Sequence, residues 1–137
     1  MKRNTVYDTS VIELPKIMNR SGNITSISNY LNIPFSVQRI YYLYDIPSGS
    51  ERGGHSHKDL HQLIVAISGS FDITLDDGVT KKTVRLDRPN FGLLVVPGIW
   101  RELKEFSSGA ICLVLASNKY DEKDYIRSYD EFKAFKL

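Results

Sequence analysis

The chain has 137 residues, 42% hydrophobic and 25% charged, the proportions of an ordinary globular domain rather than a disordered or fibrous chain. Eighteen Lys and Arg stand against sixteen Asp and Glu, a formal charge of +2, with the signs mixed along the chain. That pattern argues against nucleic acid or a membrane surface as partner, and Cys112, the only cysteine, rules out an intrachain disulfide or a multi-thiolate metal site.

No internal repeat, low-complexity tract or linker divides residues 1–137, and a chain of this length supports its own core, so a single domain is expected. The start, Met1-Lys2-Arg3-Asn4-Thr5-Val6-Tyr7-Asp8, carries charge but no apolar stretch of signal-peptide type, which predicts a cytoplasmic protein. Residues 38–44 and 63–67 are rich in β-formers. In Phe71-Asp72-Ile73-Thr74-Leu75 apolar and polar side chains alternate, as on a half-buried strand. Asp76-Asp77-Gly78 reads as the hairpin turn that follows, and Thr83-Val84-Arg85-Leu86 alternates again beyond it. Residues 93–96 and 111–117 are further strands; the latter overlaps the longest apolar run, the seven residues 110–116. That run is too short to cross a membrane as a helix, and Cys112 inside it reads as an inert core thiol. Turn formers (Pro47-Ser48-Gly49, Ser68-Gly69-Ser70, Pro97-Gly98, Ser107-Ser108-Gly109) punctuate these segments at intervals of about ten residues, which predicts an all-β sandwich or barrel. Past Ser117 the composition changes. Asp121-Glu122-Lys123-Asp124-Tyr125-Ile126-Arg127 and Asp130-Glu131-Phe132-Lys133-Ala134-Phe135-Lys136 predict one or two short terminal helices, acidic at the start and basic at the end.

All three histidines fall within seven residues, at His55, His57 and His61. His55 and His57 are two apart, so on an extended strand both rings leave the same face. A bare exposed strand can carry such a pair without a role. Here Arg52 stands three residues ahead, in Arg52-Gly53-Gly54-His55-Ser56-His57.

The spacing Gly49, five residues, His55-x-His57, four residues, Gln62, six residues, Gly69 resembles the first motif of the cupin superfamily, with Gln62 where Glu is usual. Gly92-Leu93-Leu94-Val95-Val96-Pro97-Gly98-Ile99-Trp100-Arg101 resembles the second motif, shortened and with Arg101 in the place of its histidine. The resemblance implies an antiparallel jelly-roll barrel, in accord with the strand pattern. A metal cupin holds its ion with three His and one Glu. Gln62 is a poorer, neutral ligand and the protonated guanidinium of Arg101 has no lone pair to give, so no bound metal is expected.

A closer likeness lies in Arg39-Ile40-Tyr41-Tyr42, Arg52-Gly53-x-His55-x-His57-Lys58, Leu75-Asp76-Asp77-Gly78, Val114-Leu115-Ala116-Ser117 and Asp124-Tyr125-Ile126-Arg127. In this order they resemble the WxcM-like sugar-nucleotide 3,4-ketoisomerases over nearly the whole chain. That resemblance implies conversion of dTDP-4-keto-6-deoxyglucose into a 3-keto isomer for amino-sugar and surface-glycan synthesis, and a homodimer with strand exchange. The chemistry suits the residues. Removing the C3 proton, acidified by the neighbouring ketone, gives an enediolate, and a proton is then returned at C4. No redox cofactor is needed, and neither a dinucleotide fingerprint nor a phosphate loop is present, so no cofactor is expected. A histidine, titrating near about 6.5, is a suitable base, and a fixed cation stabilises the enediolate oxygen.

On this resemblance His55 is the expected base, and His57 orients it, binds the sugar or relays the proton. Arg101 anchors the enediolate. Arg39 and Arg52 are candidates for the diphosphate through bidentate donors. Tyr41 and Tyr42 lie on opposite faces of one strand, so only one of them lines the cavity. Gln62 bonds a sugar oxygen or satisfies a polar group of the barrel, and Trp100 stacks on thymine or packs in the core. His61 is expected to be structural or exposed, and residues 124–127 form an intersubunit or nucleotide contact or a solvated helix face. Where relatives read Trp-His-Glu this chain has Trp100-Arg101-Glu102, and Ser21 replaces the Arg of an Asp-x-Arg-Gly turn; both positions are expected to border the sugar. A gluco product is expected, because Arg101 keeps its proton and leaves its return to the histidines. The alternatives are a dTDP-sugar 3,5-epimerase, whose base–Asp dyad and catalytic Tyr have no evident counterpart in the sequence, and a non-catalytic nucleotide-sugar-binding cupin.

Overall fold

The computed structural model describes residues 3–137; Met1 and Lys2, the first residues of the amino-terminal segment read above, lie outside the described residues. β1 (Ser10–Glu13), the hairpin strands β2 (Ile17–Asn19) and β3 (Gly22–Ile24), β4 (Arg39–Leu43), β5 (Arg52–His57) and β6 (Gln62–Ser68) come first. β7 (Phe71–Asp76), β8 (Lys81–Leu86), β9 (Phe91–Val95), β10 (Trp100–Lys104), β11 (Ile111–Ala116) and β12 (Tyr125–Ile126) follow, and then the helix α1 (Tyr129–Lys136). They form two five-stranded sheets, ordered β1-β9-β6-β11-β4 and β12-β5-β10-β7-β8, besides the β2-β3 hairpin. The named strands pair antiparallel, the arrangement expected of a jelly-roll barrel.

Alternation places the core. Ile64, Ala66, Leu93, Val95, Cys112 and Val114 point inward from the first sheet and meet Phe71, Ile73, Leu75 and Leu103 of the second in one cluster. Each large side chain buried there contributes about 1.5–3 kcal/mol relative to exposure. The intervening residues of the first sheet, Leu63, Val65 and Leu115, face outward, under a cover of Leu14, Ile33 and Phe35 from the amino-terminal third. On the outer side of the second sheet Trp100 and Ile126 pack beneath Phe132 of α1. The β7–β8 connection uses the predicted turn: Asp77 accepts hydrogen bonds from the backbone N–H of Val79 (2.9 Å) and Thr80 (2.7 Å), and Gly78 takes φ +93°, a conformation favourable only to glycine.

The carboxy-terminal region departs from expectation. Residues 121–127 are no α-helix: Glu122–Asp124 make a single 3₁₀ turn and β12 then pairs with β5, Tyr125 opposite His57 and Ile126 opposite Ser56. A segment this short is a marginal helix, and pairing on β5 satisfies edge N–H and C=O groups that a separate helix would leave open. The second predicted helix forms as α1, capped by Ser128, whose hydroxyl oxygen accepts from Glu131 N–H. Among the described residues no helix is long and apolar enough to cross a membrane.

Candidate active site

One end of the barrel is plugged by the apolar cluster, while the other opens into a cavity of about 310 Å³. Its wall carries His55, Gln62, Arg101 and Tyr41, with Arg39, Arg52, Tyr125 and Arg127. Three larger hollows, of about 710, 670 and 570 Å³, have no histidine in their walls.

β5 delivers the histidines. At Gly53 the backbone takes φ +77°, and a Cβ there would lie 2.8 Å from Leu103 Cδ1; the β5–β10 register shifts at this point, leaving His55 opposite Arg101. His55 and His57 share the inward face, their rings edge-to-face at 88° with centroids 4.8 Å apart. Tyr125 of β12 lies against both, at 5.2 Å and 4.4 Å. The Nε2 atoms of His55 and His57 are both buried without a hydrogen-bond partner. Burial first, then the charges of Arg101 and Arg127, push His55 down to about 3, against a smaller upward pull from its hydrogen bond to the Gly53 backbone. His57 is fully buried and is held still further below its ordinary value by burial, Arg101, His55 and two more arginines. Its Nδ1 lies 2.9 Å from Asp124 Oδ2. Since a carboxylate only accepts, this pair is a neutral imidazole donating Nδ1–H to Asp124. The other carboxylate oxygen accepts from Asp59 N–H at 2.8 Å.

Arg101 is only 1% exposed. It donates from Nη1 to Gln62 Oε1 at 2.5 Å and from Nε and Nη2 to the Ile99 carbonyl at 3.3 Å. Gln62 in turn donates to the Tyr41 hydroxyl oxygen at 3.2 Å, so the phenol keeps its own O–H for another acceptor. Burial lowers Arg101 to about 10, which still leaves it charged at neutral pH. At the mouth the Arg39 guanidinium lies over Tyr41 at 4.6 Å and Tyr120 at 5.1 Å. Arg127 lies over Tyr125 at 4.2 Å and donates to both oxygens of Glu122, at 2.6 and 2.9 Å.

Of the nine residues singled out in the sequence, His55, Arg101, Arg39, Tyr41, Arg52 and Gln62 line the cavity, and His57 packs behind His55. Tyr42 and Trp100 do not belong to it. Tyr42 points outward, 59% exposed, beside Tyr44; Trp100 alternates with the inward Arg101 and therefore packs on the outer face against Tyr129 and Phe132. Ser21 sits in the exposed β2–β3 turn, its N–H bonded to Asn19 Oδ1, away from the wall. His61 is half-buried against Phe35. Asp124, Tyr125 and Arg127 join the site although the composition reads as helix there; the family-like motif Asp124-Tyr125-Ile126-Arg127, with a nucleotide contact as one of its readings, was the signal that pointed to them. Among the described residues no group of three or more His, Cys, Asp or Glu is placed to hold a metal ion, and the buried guanidinium of Arg101 beside the imidazoles would repel one.

Residues 7–137 match the family model described as FdtA, WxcM-like, C-terminal. The chain is 44% identical over 128 residues to a TDP-4-oxo-6-deoxy-α-D-glucose-3,4-oxoisomerase of Aneurinibacillus thermoaerophilus, covering 93% of this chain and 92% of that one. Among solved structures it resembles a His-to-Asn variant of the 3,4-ketoisomerase QdtA from Thermoanaerobacterium thermosaccharolyticum in complex with TDP-4-keto-6-deoxyglucose. The TM-score is 0.93 at 38% identity, over 95% and 94% of the two chains. It also resembles the WlaRB TDP-quinovose 3,4-ketoisomerase of Campylobacter jejuni, with a TM-score of 0.90 at 40% identity over 94% and 99%.

Proposed function

The chain belongs to the WxcM-like family and is a sugar-nucleotide 3,4-ketoisomerase; we propose that it converts TDP-4-keto-6-deoxyglucose into the 3-keto isomer of gluco configuration, with His55 as the base. The observation that carries this reading is His55 in the cavity wall, opposite the buried cation Arg101 and with its own Nε2 unpartnered. The TDP-4-keto-6-deoxyglucose complex of the QdtA His-to-Asn variant supports both the substrate and a histidine base.

His55 Nε2 takes the C3 proton, and the charge that develops on O4 faces Arg101, a donor already oriented by Gln62 and Ile99. Protonation at C4 with loss of the O3 proton then places the ketone at C3. The stereochemistry corrects the argument made from sequence. H3 and H4 lie on opposite faces of a gluco ring, so returning the proton from the histidine face would give galacto. A gluco product needs a donor across the sugar. Tyr41, on β4 of the facing sheet, has an O–H to give. It regains the O3 proton while His55 passes its own to O4, and the protein ends as it began. Gluco is favoured by Arg101 in place of a titratable histidine and by the likeness to WlaRB, named for quinovose, which is 6-deoxyglucose.

Arg39, Arg52 and Arg127 ring the mouth and suit the diphosphate. A homodimer is part of this reading, supported by the β2–β3 hairpin, where Ile17, Met18 and Ile24 are all more than half exposed; so is a cytoplasmic location, where nucleotide sugars for surface glycans are made. The test is to incubate the pure protein with TDP-4-keto-6-deoxyglucose in deuterated water and follow the sugar carbons by NMR. The ketone resonance is expected to move from C4 to C3. Exchange at C3 and C5 with the ketone left at C4 would instead mean a 3,5-epimerase, and binding without exchange a non-catalytic cupin.

A further inference from the structure

His57 is the one histidine of the pair that does not touch the cavity, yet its ring is the better held. It is fully buried, one nitrogen is bonded to Asp124 at 2.9 Å, and the other is bare. Asp124 is itself fixed: Oδ1 accepts from Asp59 N–H, and its backbone carbonyl accepts from Lys58 N–H at 3.0 Å. The segment carrying it is anchored by β12 on β5, with Tyr125 directly opposite His57, so the same strand pair holds carboxylate and histidine. A buried imidazole whose Nδ1–H is committed to a carboxylate has its tautomer decided, leaving Nε2 as a pure acceptor.

We propose that Asp124 is a positioning residue for the isomerisation: by accepting the Nδ1–H of His57 it holds that ring neutral and edge-on to His55, where the pair stabilises the imidazolium formed when His55 takes the C3 proton. The cavity needs such a counterweight. Arg39, Arg52, Arg101 and Arg127 all face it, and a base among four guanidiniums gains a proton against their repulsion. Asp124 is a carboxylate on the histidine side, bonded to the ring that lies edge-on to His55. This inference rests on the ketoisomerase reading with His55 as base.

Two measurements test it. In the substrate-free protein with ¹⁵N-labelled histidine, long-range ¹H–¹⁵N spectra are expected to show His57 protonated at Nδ1 alone; a protonated Nε2 would overturn the proposal without reference to turnover. In steady-state assays Asp124→Asn is expected to lower kcat by at least about 10-fold, less than the roughly 10⁴-fold lost when a carboxylate bonded directly to the base is removed, with KM for TDP-4-keto-6-deoxyglucose within about twofold. Asp124→Glu, which keeps the charge, should recover part of kcat. In a His57→Asn background Asp124→Asn should cost nothing further, because residues acting through one another are not additive. Full activity of Asp124→Asn, or additive losses, would overturn it. Should Asp124→Asn fail to fold, the tautomer in the wild-type protein still decides. Failure of the ketoisomerase reading itself would show separately, as wild-type protein that does not turn over this substrate.

Discussion

His55 and Arg101 divide the chemistry by what each can do with a proton. A neutral imidazole with a free Nε2 accepts one, and a buried guanidinium at about 10 keeps its own. His55→Asn, similar in size and polarity, is therefore expected to lower kcat by about 10²–10⁴-fold, the usual loss of a general base. TDP binding measured by calorimetry should hardly change. Because burial and two arginines put His55 at about 3, the base is already deprotonated throughout the neutral range, and kcat/KM should stay flat from pH 8 down to 5. An acid limb near 6.5 would mean a wetter, less cationic cavity. Arg101→His replaces a fixed cation by a group able to deliver a proton at C4. Part of the product is expected to carry an equatorial H4, read from a small H4–H5 coupling, and turnover should fall because Gln62 loses its partner. A product left entirely gluco would detach Arg101 from the stereochemical outcome.

At the scale of elements, β5 aims the site only because its first turn into the barrel is made at Gly53. Its φ of +77° strains any residue but glycine, and a Cβ there would press on Leu103 Cδ1 at 2.8 Å. Gly53→Ala is expected to destabilise the fold by about 1–3 kcal/mol, the cost of a non-glycine residue held in the left-handed region, as measured by urea unfolding. It should also lower turnover, since His55 is two residues on, whereas Gly49→Ala at a similar φ of +80° but in open space should cost stability and spare kcat. β12 and β10 complete the arrangement. β12 brings Tyr125 against both imidazoles, and β10 turns Arg101 inward while its neighbour Trp100 goes out beneath α1.

For the whole molecule, two neutral histidines, one fully and one partly buried, make the native state resist protonation. His55 and His57 both sit below the unfolded value of about 6.5, so on acidification the unfolded chain binds protons that the native chain refuses. Their contribution is fully present above pH 6.5 and is lost as pH falls from there toward about 3, where His55 titrates. Unfolding free energy is expected to drop by up to about 2 kcal/mol per histidine between pH 7.5 and 5.0, and His55→Asn should remove about half of that pH dependence. Stability unchanged over this interval would mean that the imidazoles titrate normally in the fold. Charge also governs the metal question. With the buried guanidinium of Arg101 opposite His55, activity is expected to survive prolonged chelation, and elemental analysis of the purified protein should show less than stoichiometric zinc, iron and manganese. One metal per chain, with activity lost on its removal, would reverse this reading.

The sequence by itself determined β4, β6, β7, β8, β9 and β11 and the shared inward face of His55 and His57, because the side-chain period of a strand is a local property; β1, the β2–β3 hairpin, β10 and β12 it did not reveal. The resemblance to the second cupin motif implied that Arg101 stands in the place of a metal-ligating histidine, and residue chemistry adds only that its guanidinium has no lone pair to give. Which of Tyr41 and Tyr42 enters the barrel was decided by register: Tyr41 lies opposite the inward Val114, a pairing between strands far apart in the chain. β10 was hard to recognise because its inward residue Arg101 is charged and breaks the apolar alternation. Only the tertiary structure brought Asp124 to His57, 67 residues away. Residues 121–127 have a helical composition, and nothing local in them records the open edge of β5. That edge supplies backbone partners and burial for Ile126, which outweigh a weak helical preference, and the same pairing carries Tyr125 and Arg127 into the cavity.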